Sequence, residues 1–159
     1  MYFSKAALLA AALSPLAASA LDRIFDDVCF VGLPSDGIHI KSIEVTPDPP
    51  KPGQDLTVKI IAKSDQPIEE GAYADVTVKL GLIKLLNKRF DICEEARNAN
   101  ATIQCPVEAG DHEVVQTVAL PREIPRAKFK VAVRGYSADD EDLVCVDLSV
   151  DFMLGHNLW

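Results

Sequence analysis

The sequence predicts an all-β protein, an immunoglobulin-like β-sandwich of about seven strands. Three observations lead there. Apolar and polar residues alternate with a period of two in short runs along most of the chain. Turn signals rich in Pro, Gly, Asp and Glu separate those runs. No amphipathic stretch is long enough for a helix of about three turns.

The first twenty residues stand outside this pattern. Lys5 supplies a positive start, Ala6 to Leu16 is mostly apolar, and Ala18-Ser19-Ala20 is a small-x-small cleavage signal. The apolar run falls short of the roughly 20 residues a membrane span needs. Residues 1–20 therefore read as a secretory signal peptide cut after Ala20, leaving 21–159 as one folded domain. No later segment is long and apolar enough to span a membrane.

The elements follow in order. Leu21 to Ser35 has no period and forms an arm that carries Cys29. Ile38 to Val45 is a strand with a fault: Ile38 and Ile40 share one parity, Ile43 and Val45 the other, so a bulge is expected near Lys41 or Ser42. Thr46 to Gly53 holds four prolines in eight residues and is an extended linker ending in a turn. Leu56, Val58, Ile60 and Ala62 form the inner face of the next strand. Ala74, Val76, Val78, Leu80 and Leu82 form another, alternating with Asp75, Thr77 and Lys79. Leu82 to Leu86 is apolar on both parities, which predicts a strand end buried on both faces or an apolar loop. Arg89 to Ile92 reads as a short strand, Cys93 to Cys105 as a polar excursion, and Val114 to Leu120 as a strand closed by Pro121 to Pro125.

The last two strands have the clearest pattern. Phe129, Val131 and Val133 alternate with Lys130 and Arg134. Ala138 to Asp142 interrupts with acids that cannot sit in a core. Val144, Val146, Leu148, Val150, Phe152 and Leu154 then alternate with Cys145, Asp147, Ser149 and Asp151. Cys145 falls on the parity away from the apolar row, as an anchor to another part of the chain would.

Charge and cysteine content narrow the function. The chain carries 24 acidic and 16 basic side chains, a net charge of −8. Loss of Lys5 with the leader makes the mature domain −9. Nucleic-acid binding needs clustered cations and is disfavoured. All four cysteines lie beyond the leader, and an even count in an oxidising compartment reads as two disulfides. Cys93 and Cys105 flank one short polar loop and pair naturally, which leaves Cys29 with Cys145. No C-x-x-C pair accompanies the scattered His39, His112 and His156, so neither a metal site nor another cofactor is indicated.

Catalytic signals are absent from the pattern. There is no G-x-S-x-G, and no histidine has a nucleophile partner in a recognisable motif. The acids Asp139 to Asp142 lack the alternating spacing of a calcium loop. Asn100-Ala101-Thr102 is an N-glycosylation sequon in the polar excursion. What remains is an excess of aliphatic inner-face residues. Such faces either pack shut, as in a secreted recognition module that binds a protein or glycan, or stay apart around an apolar cavity. Pattern alone supports both.

An ordered set of segments resembles the ML (lipid-recognition) domain family, in its fungal phosphatidylglycerol/phosphatidylinositol transfer branch, itself similar to the Niemann-Pick type C sterol carriers. The set comprises Cys29, Ser42 to Gly53, the Cys93 to Cys105 loop and Arg134 to Cys145, and the resemblance spans about Phe25 to Leu154. It implies a sandwich whose sheets part to hold one lipid, phospholipid or sterol, and the pairs Cys29–Cys145 and Cys93–Cys105. A third disulfide of the animal sterol carrier is missing, since Asp48 and Gly53 stand near those positions. By position the resemblance places the pocket mouth at Leu82, Ile83, Leu85, Leu86 and Phe90, and at Leu120, Ile124 and Pro125. The sterol carrier has a Tyr where Ile124 stands, so this mouth is more purely aliphatic.

The expected lipid site adds Val78, Leu80, Phe129, Val131 and Phe152 on the inner faces. Lys84, Lys88 and Arg89 are expected to touch the membrane beside the apolar lip. The expected protein is a monomeric, non-enzymatic lipid carrier in the secretory route, lysosome- or vacuole-lumenal or extracellular, with transient membrane contact.

Overall fold

The structure, a computed structural model, describes Cys29 and residues 31–153. The leader expected over residues 1–20, most of the arm, Leu154 and His156 lie outside the described residues. Within them, seven strands and one short helix form two antiparallel sheets: β1 (Ile38–Thr46), β2 (Asp55–Ser64), β3 (Tyr73–Leu80), β4 (Ile83–Asp91), α1 (Ile92–Asn98), β5 (Gly110–Ala119), β6 (Lys128–Tyr136) and β7 (Asp142–Asp151). One sheet has the order β1-β2-β5 and the other β4-β3-β6-β7. This is the immunoglobulin-like sandwich that the alternation predicts.

The register explains the faults in the pattern. β1 slips against β2 between Ile40 and Ser42. That bulge brings Ile38, Ile40, Ile43 and Val45 onto one face despite their change of parity. Opposite them Ala62, Ile60 and Val58 share the face, and β5 adds Val114 and Val118. In the other sheet Val78 lies between Leu86 and Val131, and Val131 is paired with Leu148. Each sheet thus has one aliphatic face and one polar face.

Two local expectations need correction, and the polar excursion gains a short helix. Leu82 to Leu86 is neither a loop nor a strand end buried on both faces. Gly81 and Leu82 are the two-residue turn of a hairpin, and Gly81 adopts the positive φ of 59° that such a turn needs at its first position. From Ile83 the chain runs as one edge strand to Asp91, exposed from Ile83 through Arg89, because β3 is its only neighbour. The separate strand expected at Arg89 to Ile92 is the end of this element. The polar excursion opens with α1, whose start is fixed by Asp91: its Oδ1 accepts from the Glu94 N–H at 2.8 Å. Asp91 with Glu94 three residues on is a helix-start signal that the alternation-based reading passed over.

The best-buried residues gather at one end. Ala72, Leu143, Cys93, Cys145 and Cys29 are all buried, close to where β3 begins and β4 ends. The disulfides Cys29–Cys145 and Cys93–Cys105 lie at this end, each with a Cα–Cα separation of 5.6 Å. The arm is held there by more than its sulfur. The Cys29 N–H donates to Asp147 Oδ2 at 2.7 Å, Val31 bridges Val146, and the Gly32 N–H donates to the Cys145 carbonyl. Buried Asp36 accepts from the backbone N–H groups of Leu33 and Cys145, so its charge is hydrogen-bonded rather than stranded.

Candidate functional site

The aliphatic faces of the two sheets are only half-buried, even in the central strands. Val76 and Val78 on β3, Val131 and Val133 on β6, and Val58 and Ile60 on β2 all retain accessible surface although strands flank them on both sides. In a core packed to ordinary density such positions are sealed. Strand neighbours cannot expose them, so the opening lies in front of the face. Val146 on the edge strand β7 and Phe129 are the exceptions. Both are buried, and the Phe129 ring meets Phe152 edge-on with centroids 5.6 Å apart.

The expected site residues divide by position. Val78, Leu86 and Val131 share one cross-strand row, and Leu80, Ile83 and Phe129 share the next, so six of them form one patch on the aliphatic face. Leu82, at the hairpin tip, is fully exposed, Ile83 is 64% and Leu85 53% exposed, and Leu86 is 39%. Leu120 and Ile124, with exposed Pro125, belong to the β5–β6 connection, which leaves β5 at the same end of the sandwich as that tip. The end opposite the disulfides is therefore ringed by exposed or half-exposed apolar residues.

Phe90 does not join that ring. It pairs with Ala74 near the closed end, eight residues along β4 from Leu82. At about 3.3 Å per residue it lies roughly 26 Å from the tip. The cause is the same as for the fold: the segment from Leu82 to Phe90 is one extended strand and cannot fold back into a single lip.

The three expected membrane cations are likewise separated. Lys84 stands beside the tip, opposite Lys79 on the polar face. Lys88 lies opposite Val76 on the aliphatic side, with Nζ 4.7 Å from the Phe90 ring centre. Arg89 is near the closed end. Its Nε and Nη2 donate to Asp75 at 2.7 and 2.8 Å, and its guanidinium stacks 4.0 Å over the Tyr73 ring. Two further lysines were missed. Lys79 is paired with Lys84 on one side and Lys130 on the other. Each sits at a polar parity in the sequence, but only the register puts them together.

Ion pairs along the polar faces depress several carboxyl pKa values. The hydrogen bond from His39 lowers Asp65, that from Arg89 lowers Asp75, and that from Lys41 lowers Asp111, each below its ordinary value of 3.8. A carboxylate depressed in the folded state adds stability that is complete above the unfolded pKa. It is lost as pH falls through the folded one, because the unfolded chain takes up protons first. The three groups therefore keep their contribution at about pH 5, and urea midpoints should fall as the pH is lowered below about 4. In Asp65→Asn, Asp75→Asn and Asp111→Asn combined, the same interval should show a shallower fall; an equal slope would remove these pairs as its source.

A family model for the ML domain matches residues 27–152. The chain belongs to the ML domain family. The ML domain here is 64% identical over 122 residues to a phosphatidylglycerol/phosphatidylinositol transfer protein of Cryptococcus neoformans var. neoformans serotype D, covering 77% of this chain and 68% of that one. A protein of the same name from Mycosarcoma maydis is 50% identical over 121 residues, 76% of this chain and 63% of the relative. Among solved structures, the ML domain is similar to a Niemann-Pick type C2 protein from the Japanese carpenter ant, with a TM-score of 0.54 and 13% identity over 78% of this chain and 98% of that one. It is also similar to chicken MD-1 complexed with lipid IVa, with a TM-score of 0.50 and 15% identity over 77% and 95%. At these identities the structural likeness establishes the fold.

Proposed function

We propose that this ML domain binds a single lipid between its sheets and transfers it between membranes. The observation that carries the reading is the half-exposed aliphatic face of the central strands, around Val78, Val131 and Ile60. A lipid leaves a bilayer only if its tails find an apolar home, at about 25 cal/mol for each Å² kept from water. The relatives named for phosphatidylglycerol and phosphatidylinositol transfer support a phospholipid as cargo. Binding and release make and break no covalent bond, so the reading is of a carrier and not an enzyme.

The lipid site in this reading is Val78, Leu80, Leu86, Phe129, Val131 and Phe152, entered past Leu82, Ile83, Leu85, Leu120, Ile124 and Pro125. The hairpin tip enters the bilayer interface, with Lys84 beside it. Lys88 faces the same side as the tails and is placed to meet an anionic headgroup. Arg89, held by Asp75, contributes least to membrane contact. Two disulfides support passage through an oxidising compartment, secreted or lumenal. Asn100, just beyond α1 and exposed, is open to glycosylation at the end away from the mouth. We assign the working unit as a monomer.

Solvent extraction of the purified protein followed by mass spectrometry tests the central claim. About one mole of phospholipid or sterol per mole of protein is expected, with transfer of a fluorescent phospholipid between vesicles. A protein that carries no lipid and takes none up would instead have a filled core and act as a recognition module.

A further inference from the structure

We propose that the polar face of the sheet β4-β3-β6-β7 docks flat against an anionic bilayer through the row Lys84, Lys79 and Lys130. The proposal rests on the carrier reading and names the surface that carries the protein to its membrane. The three lysines occupy directly opposed positions on three adjacent strands. With strands 4.7–4.9 Å apart, their stems leave the sheet within about 10 Å of one another. Like charges directly opposite each other weaken a sheet. Among the described residues none of the three has an acidic partner, in a chain with 24 acids.

Of the other strand lysines only Lys88, set over the Phe90 ring on the opposite face, also lacks an acidic partner among the described residues. Lys59 meets Glu113 at 3.3 Å, Lys63 meets Asp65 at 3.7 Å, Lys128 meets Asp151 at 3.4 Å, and Lys41 meets Asp111. The acids on the same polar face are engaged by other groups: Asp75 by Arg89, Asp147 by Arg134, Asp151 at the row's own end by Lys128, and Asp91 by the Glu94 N–H. The row itself lines a concavity of about 670 Å³, together with Thr77, Ala132 and Ser149. The row thus presents concentrated positive charge on a net-acidic protein, with its compensation outside the chain.

The occupant follows from what adjoins the row. Lys84 is two residues from the exposed tip Leu82, and Lys79 is three residues before it. Apolar side chains that enter an interface, flanked by cations at headgroup depth, match an anionic bilayer. Long lysine stems can bury along apolar surface while their heads stay in water. The three lysines and the tip are exposed, and no buried donor defines a pocket for one small anion.

The test compares Lys79→Gln, Lys84→Gln and Lys130→Gln combined with a control, Lys41→Gln, Lys59→Gln and Lys63→Gln, that alters net charge equally on the other sheet. Partition onto phosphatidylcholine vesicles with and without phosphatidylglycerol is measured, with bound lipid and melting temperature for each protein. Cations near an anionic surface contribute about fivefold each, so the row variant should lose about 100-fold of its affinity for phosphatidylglycerol vesicles at low salt. Its affinity for phosphatidylcholine and its bound lipid should match the control, and its melting temperature should not fall below the control's, because the row variant removes opposed like charges whereas the control removes ion pairs. Equal partition of row variant and control overturns the docking surface. So does displacement by sodium phosphate beyond that by sodium chloride at equal ionic strength, which would assign the row to a discrete phosphate site. A protein that carries lipid yet ignores phosphatidylglycerol vesicles refutes the docking and leaves the carrier standing. One that docks through the row but holds no lipid keeps the docking and refutes the carrier.

Discussion

Replacing Cys29 and Cys145 together by serine is expected to lower the unfolding free energy by about 4 kcal/mol, a large share of a small domain's total. The bond closes a loop with a sequence separation of 116, against 12 for Cys93–Cys105. On loop-closure entropy alone the long ring contributes about 4–5 kcal/mol and the short one about 3 kcal/mol. The native contacts work in the same direction. Cys29 anchors the arm whose hydrogen bonds to Asp147 and to the Cys145 carbonyl would otherwise fray. Urea unfolding of the double variant beside Cys93→Ser with Cys105→Ser measures the difference. A smaller loss from the long ring than from the short one would mean that the arm, and not the crosslink, holds this end together.

Val78→Trp should cut lipid affinity at least tenfold while leaving the melting temperature within a few degrees of the parent. Val78 lies at the middle of the aliphatic face, between Leu86 and Val131, with accessible surface of its own. In a filled core the added indole would force neighbours off their rotamers at about 1–3 kcal/mol. Facing open apolar space, it adds burial and takes room from the tails. Displacing about 60 Å² of lipid surface is worth about 1.5 kcal/mol, close to tenfold in affinity. Lipid titration and thermal melting together decide it. Marked destabilisation with unchanged lipid affinity would show that the sheets close on one another and that lipid binds elsewhere.

These two variants probe features of unequal legibility in the sequence. Cys29 and Cys145 could be paired from spacing, because an even count in an oxidising setting and one obvious short ring leave a single partner for each. The inner-face residues could be named from parity, because side chains in a strand alternate regardless of what surrounds them. The bulge at Lys41 was visible for the same reason: a change of parity within one run must be absorbed locally, and β1 absorbs it between Ile40 and Ser42. Whether facing aliphatic rows meet or stay apart is a property of the distance between two sheets, and no local period encodes it.

The amino-acid sequence by itself determined the strand faces, the bulge, the two crosslinks and the leader as an expectation, all consequences of local sterics, local periodicity or residue chemistry. The tertiary structure alone decided which strand is an edge and which residues stand opposite each other. It made Ile83 to Asp91 a single exposed strand, carried Phe90 and Arg89 away from the tip, and bound Arg89 to Asp75. It also aligned Lys84, Lys79 and Lys130 into one row. Parity places each of those lysines on a polar face, but register between strands depends on turns, bulges and pairings remote in sequence, and a one-residue slip in β4 or β6 would scatter the row.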